Sequence, residues 1–477
     1  MHFDLKLRVS KIIRKYLVVV ALLAHFGPVS GQVQTLEGKL DDGTSYRIDR
    51  PEDWNGTLLV GLDYAGRDPL AAGEAGAANR YLIEHGFALA GTTRAVTGWA
   101  IQLAARNALQ TLDIFTQKFG KPKYAVEFGG SMGGHTAAVT LQAYPTRWNG
   151  AVIMCGGLSG TVGQWQGKFD GLWVAKTLVA PESSLPVIHI PKDFQTAALP
   201  AWRQMFATTG QTPQGKARAA LAAIFAQMPD WSDRTKPRPA SDDLEAREDG
   251  LVHNLITGLL PQAMSSRSQI ETLSGGNITS NNDVDYAELL KKIDKEGLAA
   301  KIYAQAGLDL SVDLALLAKA PRISADPAAI AYVASGVFDG ALAAPVLTMS
   351  GIGDPISTVP SQESYASAVA RAGKSSQLRQ VYTASTGHCG FTPAETVAAV
   401  EVLKHRLDSG KWDDTSMKAM NDLSATTLIG PSRFIDFTPP PFGRPYTACD
   451  LNNTLKAARI KPLETPGQEL PRCNGSR

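Results

Sequence analysis

Through its first 155 residues the chain alternates segments of strand character with segments of helix character, and that order commits it to a largely parallel sheet with helices on both faces. Residues 35–40 and 45–49 are short alternating runs separated by Asp41-Asp42-Gly43-Thr44, the composition of a hairpin loop. Residues 57–62 form an apolar run suited to a strand buried on both faces. A helix over 70–85 stops at Gly86, and a strand follows at 87–92. Residues 99–119 carry Ile101, Leu103, Ala104, Ala108, Leu109, Leu112 and Phe115 at helical spacing, until Gly120-Lys121-Pro122 breaks the pattern. Strand 124–128, helix 132–144 and strand 150–154 complete the series. Parallel strands joined through helices imply right-handed crossovers.

The alternation then stops. From 157 to 343 the chain is mainly helical in character, as at 214–226 and 285–305, with many breakers and few β-branched runs. Strand character resumes at 345–350 and 378–382. Thr392-Pro393-Ala394-Glu395 then opens a helix with an N-cap threonine, proline at the first helical position and glutamate at the third. A core interrupted by one long insertion explains this order better than two successive domains, and the 477 residues exceed the ~100–200 of an ordinary single domain. The expected division is a leader over 1–31, core over 32–156, a helical cap over 157–343, the rest of the core over 344–410 and a tail over 411–477. The tail contains Pro439-Pro440-Pro441 and is expected to wrap the core without regular structure.

The leader reads as a signal peptide. Lys6, Arg8, Lys11, Arg14 and Lys15 precede an apolar run at 16–26, which is shorter than the ~20 residues needed to cross a bilayer. Cleavage near Gly31–Gln32 makes the mature protein secreted or periplasmic, with no membrane attachment. Export also bears on the four cysteines, which allow three pairings. Cys449 and Cys473 are close in the tail, leaving Cys155 for Cys389 at one edge of the sheet; the alternative is that Cys155 is a buried free thiol. Charged residues make up 19% of the chain and the net charge is +2, so nucleic acid is not an expected ligand.

Phe128-Gly129-Gly130-Ser131-Met132-Gly133-Gly134-His135 contains G-x-S-x-G between an expected strand and an expected helix. So tight a turn needs small neighbours, supplied by Gly129 and Gly133. It exposes the Ser131 hydroxyl and aims the Met132 N–H at a developing oxyanion, with the helix N-terminus favouring negative charge. A serine hydroxyl is a weak nucleophile until a base removes its proton, so an acid and a histidine should follow in that order. Asp354, in Gly351-Ile352-Gly353-Asp354-Pro355, lies just past one strand, and His388, in Thr386-Gly387-His388-Cys389-Gly390, about six residues past the next. Of eight histidines, His2 and His25 leave with the leader, His135 is expected to pack, and His85, His189, His253 and His405 follow no strand as His388 does. The second oxyanion donor is expected from the loop after 57–62, at the backbone N–H of Tyr64.

With these motifs the chain resembles the α/β-hydrolase superfamily, and within it a group of secreted bacterial serine hydrolases. The matching stretches are Asp53-Trp54-Asn55-Gly56-Thr57-Leu58-Leu59, Gly86-Phe87-Ala88-Leu89-Ala90-Gly91 with Thr97-Gly98-Trp99, the Ser131 turn, and the Asp354 and His388 loops. The resemblance implies a triad of Ser131, Asp354 and His388, an acyl-enzyme route and no cofactor. It departs at Asp63-Tyr64, where many relatives carry His-Gly, and Asp63 either helps to recognise a polar substrate or caps the following turn.

The expected reaction is hydrolysis of a small-molecule or oligomeric carboxylic ester. A peptidase or amidase would use the same triad, and a binding protein on an inactive hydrolase scaffold is the reading from another class. Trp165, Trp173, Trp202 and Trp231 in the cap suggest aromatic or bulky esters. No H-E-x-x-H or clustered histidine and carboxylate spacing points to a metal. Nucleotide motifs fail too: Gly351-Ile352-Gly353 lacks a third glycine, and Gly167-Lys168 is followed by Phe169 instead of Ser or Thr.

Overall fold

A computed structural model describes residues 32–94, 99–463 and 467–473, so the expected leader and the Thr97-Gly98 pair lie outside the described residues. A hairpin of β1 (Val33–Lys39) and β2 (Ser45–Pro51) comes first. It is followed by β3 (Thr57–Leu62), α1 (Glu74–Glu84), β4 (Ala88–Thr92), α2 (Ile101–Phe119), β5 (Tyr124–Gly130), α3 (Met132–Ala143) and β6 (Gly150–Met154). Before the next strand come α4 (Gly160–Val179), α5 (Ala198–Thr209), α6 (Pro213–Phe225), α7 (Leu244–Asn254), α8 (Leu260–Ser274), α9 (Tyr286–Ile293), α10 (Leu298–Gln305), α11 (Leu310–Lys319) and α12 (Pro327–Tyr332). The chain then makes β7 (Val346–Gly353), α13 (Pro360–Arg371), β8 (Leu378–Thr386), α14 (Pro393–Ser409), α15 (Met417–Thr426), β9 (Phe434–Ile435) and α16 (Ala448–Ala458).

Among the described residues, nine strands form one sheet in the order β1-β2-β4-β3-β5-β6-β7-β8-β9. The six from β4 to β8 are parallel, and β1, β2 and β9 join antiparallel at the edges. Successive side chains of a strand face opposite sides of the sheet. Leu58 and Val60 accordingly pack with Ala105 and Leu112 of α2 and Val139 of α3, whereas Leu59 packs with Leu82 of α1 and Val397 of α14. That burial on both sides is why the central strands are almost continuously apolar. The helices between β6 and β7 build a separate core, around Trp202, Leu221, Leu255 and Tyr303.

Several elements differ from their sequence patterns for identifiable reasons. β7 and β8 run on to Gly353 and Thr386, past the expected ends at 350 and 382. The glycines that read as loop are pairing residues where the strands approach closely. A Cβ on Gly351 would lie 2.5 Å from Ser385 Oγ, and one on Gly353 would lie 2.7 Å from Thr386 Cβ. The expected helix over 285–305 is two helices, because the Asp294 carboxylate accepts the N–H groups of Leu298 and Ala299, each at 2.8 Å, and starts a new one.

The tail corrects its expectation, for it contains regular structure: α15, the edge strand β9, and α16. Its helix starts were legible. Ser416 caps α15, and Thr447-Ala448-Cys449-Asp450 is a capping box. Arg433, next to β9, binds Glu395 Oε2 at 2.9 Å, pairing a fully buried carboxylate at the start of α14. Cys449 and Cys473 form a disulfide.

Candidate active site

Ser131 sits between β5 and α3 with φ 56° and ψ −123°. A non-glycine residue held at positive φ is strained and persists only where its surroundings fix it. Here the Ser131 N–H donates to Met154 O at 3.0 Å, and the Ser131 carbonyl accepts the His135 N–H at 3.0 Å. Gly129 is required, since a Cβ there would lie 2.6 Å from the Gly133 backbone. The second tight position is Gly134 instead of Gly133. A Cβ on Gly134 would meet Met154 O at 2.9 Å, whereas one on Gly133 would make an ordinary 3.5 Å contact with Leu62.

The structure brings together the three residues singled out as nucleophile, base and acid. His388 Nε2 is 2.6 Å from Ser131 Oγ, and His388 Nδ1 is 2.9 and 3.0 Å from the two carboxylate oxygens of Asp354. Asp354 is 1% exposed and also accepts the backbone N–H groups of Ile356, Ser357 and Cys389, at 2.8, 3.0 and 3.2 Å. A carboxylate so placed can only accept, so Nδ1 of the imidazole carries the proton and Nε2 is left to accept from the serine hydroxyl.

Cys155 and Cys389 are disulfide-bonded, closing the alternative of a free thiol. Both are at positive φ, Cys155 at 44° and Cys389 at 52°. Cys155 Sγ lies 3.3 Å from the Ser131 nitrogen, and Cys389 is the neighbour of His388, so the bridge ties the His388 loop to the end of the strand beside Ser131. Cys155, Asp354, His388 and Cys389 also cluster as a metal site might, but sulfurs bonded to one another are not thiolate ligands. Replacing both cysteines by serine is expected to cost about 2–5 kcal/mol of stability and about 10–100-fold in kcat through misplacement of His388. Thermal unfolding and steady-state kinetics of Cys155→Ser/Cys389→Ser check both effects.

Met132 opens α3, where an N–H has no acceptor within the helix. Tyr64 stands in a short turn (Tyr64–Gly66) just beyond β3, and its phenol donates to Asp49 Oδ2 at 2.7 Å. Burial, and then the charge and hydrogen bond of Asp49, hold the phenol well above its ordinary titration range. Asp63 does not cap the turn with its side chain. Its carboxylate instead accepts from Arg94 Nε at 2.8 Å, an ion-pair partner 31 residues away that no local sequence pattern marks.

A cavity of about 330 Å³ opens at Ser131. Arg94, Trp99 and Met132 line one part of it, and Gln164 of α4 with Gln262 and Gln269 of α8 line another. The inserted helices therefore line the cavity at Ser131 with amide side chains. The four tryptophans expected to offer aromatic surface are buried, Trp165 and Trp202 completely, and none is among the lining residues. His135 packs as expected: it is fully buried, its Nδ1 lies 2.8 Å from Gly157 O and its Nε2 2.9 Å from Thr161 Oγ1. Burial pushes its pKa down to about 4, so it stays neutral. His405 pairs with Asp413 away from the site.

The strand order, the strained serine between strand and helix, and the helical insertion after β6 define a hydrolase of the α/β-hydrolase fold. The chain is 31% identical over 427 residues to the o-phthalyl amidase of Xanthobacter agilis, an alignment that covers 82% of this chain and 91% of that protein. It belongs to the same family of α/β-hydrolases as that amidase. An esterase from Aspergillus oryzae is similar over 79% of each chain, at 11% identity and a TM-score of 0.38. Feruloyl esterase B from the same organism is similar over 80% of this chain and 81% of its own, at 14% identity and a TM-score of 0.37. No protein-family model matches the chain.

Proposed function

We propose that this protein is an exported serine hydrolase that cleaves a carboxylic acyl bond through Ser131, His388 and Asp354. The observation that carries the reading is the unbroken chain of hydrogen bonds from Ser131 Oγ through the imidazole to a buried carboxylate. In this mechanism the Ser131 oxygen attacks the carbonyl carbon as His388 Nε2 takes its proton, and Asp354 stabilises the imidazolium without being protonated. The tetrahedral oxyanion is held by the Met132 N–H and, as the second donor, the Tyr64 N–H. Nε2 returns the proton to the leaving group, leaving an acyl-Ser131, and water repeats the sequence to release the acid and restore the serine.

An ester is the bond this geometry serves with least demand, because an alkoxide or phenoxide departs more readily than an amine. A second reading, amide hydrolysis, is favoured by the relationship to an o-phthalyl amidase, whose name describes an amide of an aromatic acid. The inserted segment 157–343 acts as a cap that shapes the acyl pocket. Export is supported by the basic-then-apolar leader and by two disulfides, and no helix among the described residues is long and apolar enough to cross a membrane. A panel of 4-nitrophenyl esters and matched 4-nitroanilides tests the assignment. Ester kcat/KM at least about 100-fold above that of the anilides supports an esterase, near-equal values assign an amidase, and turnover of neither refutes a hydrolase of this type.

A further inference from the structure

β3 and β5 are neighbours in the sheet and pair in parallel, with Val60 opposite Glu127. Following both segments four residues further brings Tyr64 to the edge that carries Ser131. The two ends also meet, since a Cβ on Gly133 would lie 3.5 Å from Leu62 Cβ. The turn that contains Tyr64 is held from two sides. Asp63, at φ 68°, is fixed by Arg94, whose guanidinium bonds both of its carboxylate oxygens. Tyr64 is fixed by Asp49 of β2, which is separated from β3 by β4.

The Tyr64 side chain passes over β4 to reach that aspartate, and Gly91 leaves the space for it: a Cβ there would lie 2.6 Å from Tyr64 Cβ. Asp49 is fully buried, and its carboxylate accepts from Thr35 Oγ1 at 2.6 Å, Arg47 Nε at 2.7 Å and the Tyr64 phenol at 2.7 Å. Arg47 Nη2 donates to it as well, at 3.2 Å. Thr35 lies on β1 and Arg47 on β2, so the acceptor at the tip of the tyrosine is anchored in the hairpin and not in the loop. A hydrogen bond to a carboxylate holds a side chain more firmly than one between neutral groups. A tyrosine has only two χ angles, so fixing its phenol restricts the backbone that carries it.

We propose that Asp49 is a positioning residue for the hydrolysis, acting through the Tyr64 phenol to keep the N–H of residue 64 aimed at the oxyanion. This rests on the triad and the oxyanion donors proposed above. Asp49 is buried away from the reacting atoms, and no proton passes between it and the tyrosine during turnover. An oxyanion donor contributes most when it is already in place as the charge develops, and a displacement of about 1 Å can cost about 100-fold in rate.

Tyr64→Phe removes the phenolic oxygen and keeps both the ring and the backbone N–H. It is expected to lower kcat for 4-nitrophenyl acetate by about 10–100-fold with KM within about 2-fold. An aryl trifluoromethyl ketone, whose adduct with Ser131 places an oxyanion in the same hole, should be weakened by the same factor as kcat/KM. Asp49→Ala is expected to reproduce both losses, and the double variant to be no slower than the slower single one. An unchanged kcat in Tyr64→Phe, a loss confined to KM, or a lower kcat with unchanged ketone affinity overturns the proposal and leaves the triad standing. An Asp49→Ala protein that fails to fold leaves Tyr64→Phe to decide. A wild-type protein that neither turns over the ester nor binds the ketone overturns the triad and this proposal with it; if it binds the ketone alone, the ketone affinities decide.

Discussion

Ser131→Ala is expected to lower kcat by about 10⁶-fold while leaving the fold intact. In the proposed mechanism the hydroxyl is the atom that bonds to substrate, and no other side chain on α3 can substitute for it: Met132, Gly133 and Gly134 carry no nucleophile, and His135, Thr136 and Thr140 are buried. The backbone around residue 131 is held by main-chain bonds to Met154 and His135, which alanine keeps. Alanine at φ 56° is no more strained than serine, so Tm should shift by no more than a few degrees. His388→Ala should match it closely, because members of a triad act as a unit and their losses do not add. Circular dichroism, thermal unfolding and single-turnover kinetics of the two variants and their double mutant check the claim. A double mutant much slower than either single variant would mean that the two side chains act separately.

Asp354→Asn is expected to cost about 10⁴ in kcat by a different route. The two carboxylate oxygens accept four donors in all: His388 Nδ1 and the N–H groups of Ile356, Ser357 and Cys389. Asparagine keeps one oxygen. Oδ1 takes two N–H groups of its own loop, at 2.8 and 3.0 Å, so the amide oxygen is best used there and the NH₂ is turned toward His388. Nδ1 must then accept, the ring proton moves to Nε2, and an N–H faces the Ser131 hydroxyl where an acceptor is needed. The loss therefore falls on kcat with little change in KM, and nitrogen NMR of the imidazole should report the Nε2–H tautomer. An Nδ1–H tautomer in this variant, or a loss below about 10-fold, contradicts the derivation.

Much of this arrangement could be read in the sequence because it depends on local chemistry. A parallel core announces itself through apolar runs bounded by turn residues, and the strained turn at Ser131 needs glycine at fixed offsets. What was hidden depends on approach between distant segments. Gly351 and Gly353 read as loop because glycine is common in loops, but they are glycine because β7 and β8 come too close for a Cβ. The same cause makes Gly134 the second tight position at the elbow, since its obstacle is the Met154 carbonyl on the neighbouring strand. Arg94 and Lys168 left no local mark at all. A lysine in a helix reads as a solvated charge, and only the packing of α4 against the core shows it to be buried. The tryptophans failed in the opposite sense: Trp173 and Trp202 fill the core of the inserted helices, and Trp165 packs in the core beside the sheet.

Reaction with a fluorophosphonate probes the activation of Ser131 by His388 without any choice of substrate. A single phosphonylated residue, Ser131, is expected on peptide mapping of the labelled protein, with labelling lost in Ser131→Ala and strongly slowed in His388→Ala. Labelling at another residue, or an unlabelled wild-type protein that is otherwise folded, would contradict it.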